Sequence, residues 1–201
     1  MLNQHFLQGD YQRTIAQATD SLFLPKHNEI PGLVGAYCFT GNLLEAKKVY
    51  KDSYQFLSES EKAACRFFLG LLYTRKSHYD KAFKIFYRNY KSLKPEANHL
   101  QKFYVYQGNA FYYFFQGKFR LSLKWAKKSF DAAVDAKDLY ARSLSTDILA
   151  HNKLRLGEIN MGLELLKKAE NISQLMGNKS VSSAISSAEL QYRAHYGYER
   201  R

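Results

Sequence analysis

The chain has 201 residues, of which 46% are hydrophobic and 24% charged, and its formal net charge is +12. This is enough apolar material for a folded core, and with only 3 prolines and 11 glycines to interrupt helices the composition indicates an all-α protein. The longest strongly apolar run, residues 67–73, is too short to span a bilayer, and the start lacks the basic-then-apolar pattern of a secretory leader, so we expect a cytoplasmic protein.

Turn signals recur along the chain and divide it into helix–turn–helix units. Their central residues are spaced by 32, 36, 40, 40 and 40 positions; they are Gly9, Gly41, Ser77, Gly117, Gly157 and Gly197. Glycine accepts the left-handed backbone that ends a helix, and serine is compatible with a turn. In the first unit only a second helix, about residues 10–23, is convincing, and the sixth unit shows a first helix, about residues 180–196. A unit of this kind cannot bury its apolar face alone, so the units must stack.

The third unit has the clearest amphipathic helix, over residues 80–93. Its apolar side is predicted to contain Ala82, Phe83, Phe86, Tyr90 and Leu93. Its other side is predicted to contain Lys81, Lys84, Arg88 and Lys91. This spacing is that of an α-helix with one face against a neighbour.

At these residues the chain resembles the tetratricopeptide repeat (TPR) family. The third unit matches best, with Leu69, Gly70 and Tyr73 before the turn and Tyr79, Ala82 and Phe86 after it, although Arg66 stands where the family often has tryptophan. The resemblance implies a right-handed superhelical solenoid, here a single domain over 1–201 of about five repeats, the first and last incomplete. Repeats near 40 residues are similar to those of bacterial regulatory and signalling proteins, so we expect the chain to be a piece of a longer protein.

The stretch 103–119 is unusually aromatic, since nine of its 17 residues are Phe or Tyr. In the family's arrangement the first helix of each unit lines a concave groove, and about half of these rings would fall on core positions. The residues that the resemblance places towards the groove, where a protein or peptide could dock, are Phe67, Leu71, Arg75, Tyr104, Gln107, Phe111, Phe114, Phe115, Asp147, His151 and Arg155. The alternative is that a tight superhelix or a neighbouring domain outside this chain buries these rings.

Basic residues are concentrated in the middle of the chain. Between Lys62 and Lys128 there are 15 Lys or Arg residues and only two acids, Asp80 and Glu96, which favours an acidic partner. Four of the cations recur on second helices and predict a stripe on the convex wall: Lys84, Arg88, Lys124 and Lys128. Such a stripe could bind the phosphates of a nucleic acid, although it lacks interleaved exposed aromatics; a merely solvated face is the simpler interpretation.

Catalytic and metal-binding patterns are not found in the sequence. The six histidines are scattered, and Cys38 and Cys65 stand apart without a CxxC pair, as expected for two reduced, buried thiols. Asp147 and His151 are four residues apart on one helix, but no nucleophile is visible beside them. We therefore expect no cofactor and no catalysis within this chain.

The leading hypothesis is a protein–protein interaction scaffold, the regulatory or sensory arm of a larger protein, with a protein or peptide partner that could be acidic. Two alternatives remain open. One is binding of a nucleic acid or another polyanion through the convex stripe. The other is self-association, in which the helix over 180–196 docks on a second copy of the chain.

Overall fold

The computed structural model describes residues 2–20 and 25–197 of the chain, and this part is all-α, as predicted. The helices of the described part are α1 Leu2–Leu7, α2 Tyr11–Thr19, α3 Ile30–Phe39, α4 Leu43–Ser53, α5 Glu59–Arg75, α6 Tyr79–Lys91, α7 His99–Phe115, α8 Phe119–Asp135, α9 Leu139–Arg155, α10 Ile159–Leu175 and α11 Lys179–Gly197. Short 3₁₀ segments at His27–Glu29 and Tyr54–Phe56 precede α3 and follow α4. Within these residues, no helix combines the length and apolar character needed to cross a bilayer.

The turns inside the units have the backbone conformation that the sequence predicts. Gly9, Gly41, Gly117 and Gly157 all have positive φ, and Ser77 adopts the same left-handed region at φ 59°. Each turn therefore ends one helix and starts its partner, giving the pairs α1–α2, α3–α4, α5–α6, α7–α8 and α9–α10. Gly197 lies at the end of α11, and the turn predicted beyond it falls outside the described residues.

The first unit is more complete than its sequence suggests. A six-residue helix, α1, precedes Gly9, and its Leu2 and Phe6 are buried. The backbone N–H of Leu2 donates to the carboxylate of Glu29 at 3.1 Å, which ties α1 to the start of α3. The helix predicted over 10–23 is confirmed from Tyr11 to Thr19, and residues 21–24 lie outside the described part.

Small residues let the helices of a unit approach closely, as the resemblance to the TPR family implies. A Cβ at Gly70 would lie 2.3 Å from Cε1 of Phe86, and one at Gly108 would lie 2.6 Å from Cδ1 of the same ring. Phe86 on α6 is thus held against both α5 and α7, and Ala82 beside it is fully buried. The third unit is joined to the fourth by this contact, and the predicted all-α solenoid of stacked helix pairs is confirmed.

The helices form an inner and an outer layer. The first helices pack on one another in sequence, α1 on α3, α3 on α5, α5 on α7 and α7 on α9, while each second helix packs on the first helix of its own unit and of the next one. The inner layer therefore brings the first-helix side chains of neighbouring units together, and the outer layer presents the second helices to solvent.

The row of units is curved so strongly that the first unit contacts the sixth. The ring of Phe6 lies 5.5 Å from that of Phe68 on α5 and 5.6 Å from that of Tyr140 on α9. A Cβ at Gly9 would lie 2.6 Å from Oδ1 of Asn178 and 2.7 Å from Cβ of Ser180, next to the start of α11. As a result, side chains that would line an open groove converge on a shared centre.

Candidate functional site

A cavity of about 460 Å³ lies within the curve of the solenoid and opens to solvent; we call it the central cavity. Its walls come from α2, α3, α5, α7, α9 and α11. They include five of the eleven residues predicted to line the groove: Phe67, Leu71, Arg75, Phe111 and Phe115. The remaining lining residues are Tyr11, Cys38, Phe39, Phe68, Leu72, Leu144, Ser180, Val181 and Ala184. A mostly apolar concavity of this size, with a few polar groups, is typical of a binding site.

Aromatic rings form one continuous side of the central cavity. The ring of Phe111 lies 6.2 Å from that of Phe67 and is stacked at 6.3 Å on that of Phe115. Phe67 is fully buried and forms the floor, whereas Phe115 is 47% exposed and stands at the mouth. The three rings thus lead from solvent into the centre of the molecule.

Among the described residues that line the central cavity, one is charged, and its side chain is exposed to solvent. Arg75, the last residue of α5, is exposed and lines the central cavity, as Phe115 does. Burial raises the pKa of the Cys38 thiol to about 12, outweighing the lowering effect of the Arg75 charge. Cys38 is therefore protonated at neutral pH and is not a nucleophile here. The arrangement can hold an apolar group, with a cation beside it for a carboxylate.

Two predicted groove residues, Gln107 and Tyr104, lie at contacts between helices instead. Gln107 is fully buried: its amide donates to the carbonyl of Leu144 at 2.8 Å and accepts from the hydroxyl of Ser129 at 2.6 Å. The ring of Tyr104 packs 5.6 Å from that of Phe67, and burial raises the pKa of its hydroxyl. These two side chains pack α7 against neighbouring helices, because the curvature of the solenoid brings this side of α7 into contact with them.

The other four predicted groove residues form a separate cluster under α11. His151 Nε2 lies 3.4 Å from Asp147 Oδ1, and its ring lies 6.0 Å from that of Phe114 and 5.8 Å from that of Tyr192. The guanidinium of Arg155 lies 6.0 Å from the Tyr192 ring. Burial lowers the pKa of His151, but the charge and hydrogen bond of Asp147 outweigh it, so the pKa is raised. This cluster thus packs α9 against α11.

The helix α11 is the predicted self-association element. Its Ile185 is buried against α10, with Val181 and Tyr192 packed beside it, so part of its apolar surface is used within the chain. Leu190 on the same helix is exposed. Docking of a second copy on α11 stays a prediction.

The four residues of the predicted convex stripe are exposed on the outer layer. Lys84 and Arg88 lie on α6, and Lys124 and Lys128 lie on α8. The expectation that no exposed aromatics interleave with them is wrong. Tyr90 is 43% exposed and packs 5.5 Å from Trp125, and Lys128 Nζ lies 5.0 Å from the Trp125 ring. The reason is that α6 buries a narrow strip of Ala82, Phe86 and Asn89, which leaves its neighbouring rings outside.

The sequence does not predict several walls of the central cavity, namely those from Tyr11, Phe39, Leu144 and Val181. A signal for one of them is present in the sequence. Phe39 stands two residues before Gly41, the offset that Arg75 has from Ser77 and Phe115 from Gly117. The contribution of Tyr11 and Val181 depends on the meeting of the first and sixth units, which local sequence patterns do not encode.

Among the described residues, no group of three or more His, Cys, Asp or Glu side chains is placed to hold a metal ion. No protein-family model and no curated protein matches the chain. Among solved structures, the chain is similar to a Podosopora anserina putative kinesin light chain with nearly identical TPR-like repeats, at 19% identity over 89% of this chain and 94% of that one, with a TM-score of 0.43. A variant of that protein gives 18% identity over 85% and 90%, with a TM-score of 0.45. Likeness at this level concerns the fold alone.

Proposed function

We propose that the chain is a non-catalytic protein-interaction scaffold that binds an apolar segment of a partner protein at the mouth of the central cavity. The observation that carries this proposal is the convergence of Phe67, Leu71, Phe111 and Phe115 on one open cavity. Anchor side chains of a partner bind best in apolar, desolvated pockets of this kind. A role as the regulatory or sensory arm of a larger protein extends the proposal and is supported by the length of the repeats alone.

The rim of the cavity favours a partner with a carboxylate. Arg75 is exposed at the opening, and no acidic residue is among those that line the central cavity in the described part of the chain. An Asp or Glu next to the apolar anchor would pair with Arg75, adding specificity more than affinity at an exposed position. The expected binding motif is therefore one or two bulky apolar residues followed or preceded by an acid.

Selection of peptides from a random display library on the immobilised chain would test this directly. Selected peptides are expected to share a bulky apolar anchor and an acidic neighbour, and their affinities can be measured by fluorescence anisotropy. Phe115→Ala removes the ring at the mouth without opening the buried floor, and it should weaken binding at least tenfold, the loss expected from an anchor contact of about 2 kcal/mol. Arg75→Gln should weaken binding less and reduce the preference for acids.

A matched control is available on the outer layer. Phe83 is 41% exposed on α6, away from the central cavity, so Phe83→Ala removes a comparable ring and should leave peptide affinity unchanged. The scaffold function at this cavity is refuted if Phe115→Ala and Phe83→Ala bind the selected peptides equally well.

A second candidate function is binding of a nucleic acid through the convex wall. It is favoured by the set of rings and cations around Trp125: Lys128 Nζ lies 5.0 Å from the Trp125 ring and 5.9 Å from that of Tyr106, with Tyr90 beside them. Positive charge next to aromatic faces is the combination that binds single strands, through phosphate contacts and base stacking.

This candidate predicts affinity for single-stranded oligonucleotides that falls steeply with salt. Reversing Lys84, Arg88, Lys124 and Lys128 to Glu should abolish binding, and Trp125→Ala should weaken it while the slope against salt stays similar. Reversal of four exposed basic residues outside the stripe, Arg13, Lys26, Lys168 and Lys179, makes the same change of net charge and serves as the control. An equal loss in the control and stripe variants would reject the convex wall as a specific surface.

A further inference from the structure

A second cavity, of about 550 Å³, opens on the outside of the solenoid; we call it the outer pocket. It lies between α4 and α6, with α5 behind it, and is separate from the central cavity. Its walls are Leu44, Lys47, Lys48, Tyr50, Lys51, Asp52, Arg66, Leu69, Tyr73, Ile85 and Arg88. Its volume is within the range of pockets that bind small molecules.

Arg66 lines this pocket and is 6% exposed, so its charge is almost fully removed from water. Its guanidinium donates from Nε to the hydroxyl of Tyr50 at 3.1 Å, from Nη1 to Ser92 at 3.0 Å and from Nη2 to Tyr54 at 3.3 Å. All three acceptors are hydroxyl groups. No carboxylate lies within 4.0 Å of Arg66 in the described part of the chain.

The neighbouring hydroxyls do not neutralise this charge. Burial raises the pKa of Tyr50 to about 12, despite the opposing charge of Arg66, so Tyr50 remains a neutral phenol at physiological pH. A buried cation without a counter-ion is costly, whereas one paired with an anion is not. Each terminal nitrogen of Arg66 makes one of these hydrogen bonds and carries a second N–H that can donate to an anion.

The rest of the outer pocket has the same electrostatic character. Lys47, Lys48 and Lys51 approach from α4 and Arg88 from α6, against a single carboxylate, Asp52, among the lining residues described. Between these cations the walls are apolar, from Leu44, Leu69 and Ile85 and the ring of Tyr73. The pocket therefore combines a cationic opening, a buried guanidinium and apolar sides.

We propose that the outer pocket binds a small organic phosphate with an apolar or aromatic body, whose phosphate supplies the counter-ion that Arg66 lacks. The body of the ligand contacts Leu44, Leu69 and Ile85, and the phosphate oxygens accept from Arg66 and from the lysines of α4. Arginine is suited to this role because its planar fork matches phosphate oxygens. The site is independent of the central cavity and of the function proposed for it.

Calorimetric titration of the full chain with 1-naphthyl phosphate tests the proposal, with 1-naphthol and inorganic phosphate as partial ligands. We expect one saturable site for 1-naphthyl phosphate and at least tenfold weaker binding of either partial ligand, since each keeps only one half of the interaction. Arg66→Met, which keeps the apolar stem and removes the charge, should weaken binding at least tenfold. Thermal unfolding of the same variant should show no stabilisation by 1-naphthyl phosphate, in contrast to the wild type.

A second pair of variants keeps the test valid if Arg66→Met does not fold. Lys48→Gln with Lys51→Gln changes only exposed side chains at the opening and should weaken binding severalfold. Lys124→Gln with Lys127→Gln makes the same change of charge on α8 and should leave binding unaltered. The proposal is overturned by absent saturable binding to the wild type, by equal affinities in the two double variants, or by inorganic phosphate binding as tightly as 1-naphthyl phosphate.

Discussion

At the scale of single residues, the closest packing in the third unit occurs at Gly70. A Cβ there would lie 2.3 Å from Cε1 and 2.5 Å from Cζ of Phe86, a ring that is itself almost fully buried. Gly108 approaches the same ring from α7, with Cδ1 and Cε1 the nearest atoms. The ring has no space to retreat, so even one methyl group must displace it or separate the helices.

We therefore expect Gly70→Ala to destabilise the protein, although alanine favours helix by about 1 kcal/mol relative to glycine. Overpacking of a core costs typically about 1–3 kcal/mol and should outweigh this gain. Unfolding in urea, followed by circular dichroism, measures the difference. In a Phe86→Leu background the smaller side chain relieves the collision, so Gly70→Ala should cost less there. A stabilising effect of Gly70→Ala in the wild type would contradict the contact.

Single-residue roles could be predicted where a local rule determines them. The small-against-large pairing of Gly70 with Phe86 follows from helix spacing within one unit, and the left-handed turns follow from glycine. The role of Arg66 could not be predicted, because its partners Tyr50, Tyr54 and Ser92 come from three other segments. Gln107 likewise has the character of a surface polar residue, and its burial depends on Leu144 and Ser129 of other helices.

At the scale of helices, α11 is held to α9 by the cluster of Asp147, His151, Arg155 and Tyr192. His151 carries an ion pair in the folded protein, with Nε2 3.4 Å from Asp147 Oδ1, and its pKa is raised by that carboxylate. A raised pKa means that the folded protein binds the proton of His151 more tightly than the unfolded chain does. The resulting stabilisation is complete below about pH 6.5, the ordinary pKa of histidine, and is lost as the pH rises through the raised value.

We predict that Asp147→Asn destabilises the protein at acidic pH and has a smaller effect at alkaline pH. The quantity to measure is the difference in urea midpoint between wild type and variant, from about pH 5.5 to 8.5, where histidine titrates. Using the difference cancels the other five histidines. Hydrogen exchange in α11 should follow the same trend. A difference that is constant with pH would show that Asp147 and His151 are not coupled in folding.

Helices are predictable from sequence when they are long enough to show a period. The first helix of the sixth unit is predicted over 180–196, and α11 runs from Lys179 to Gly197. The six residues of α1 span fewer than two turns, too few for a periodic pattern, and this helix is fixed by Phe6 packing on Phe68 and Tyr140. The apolar side predicted for α6 is also too wide, because an outer helix buries only the strip that contacts α5 and α7.

At the scale of the whole molecule, the meeting of the first and sixth units determines the shape of the inner surface. The contact of Gly9 with Asn178 and Ser180 closes the row of repeats around the central cavity, which stays open to solvent. Local periodicity predicts which residues lie on the first helices of the units. It could not assign their exposure, since exposure depends on a curvature that accumulates over all the units.

The contact between the units can be tested with two glycines that share a backbone conformation. Gly9 has φ +76° and Gly41 has φ +84°, but a Cβ at Gly41 would meet nothing within 4 Å. Gly41→Ala should cost only the left-handed strain, about 1–2 kcal/mol. Gly9→Ala should cost that strain and a collision with Asn178 and Ser180, about 1–3 kcal/mol more. Gly9→Ala should also increase the radius of gyration in small-angle scattering, and Gly41→Ala should not.

Equal costs and unchanged radii for the two variants would show that the first unit does not rest on α11. That result would leave the helix pairs intact and would open the inner face into the groove that the sequence first indicated.

The contact of Gly9 with Asn178 and Ser180 has a consequence for synthesis on the ribosome. In an open array each repeat can dock on the one before it as soon as it emerges, because all contacts are between neighbours. Here the turn of the first unit contacts residues near the other end of the described chain, so the apolar wall at Tyr11 and Phe39 stays uncovered until α11 has been synthesised. Chaperones that recognise exposed aromatic surface would engage the nascent chain until α11 has left the ribosome, and closure would follow the synthesis of α11.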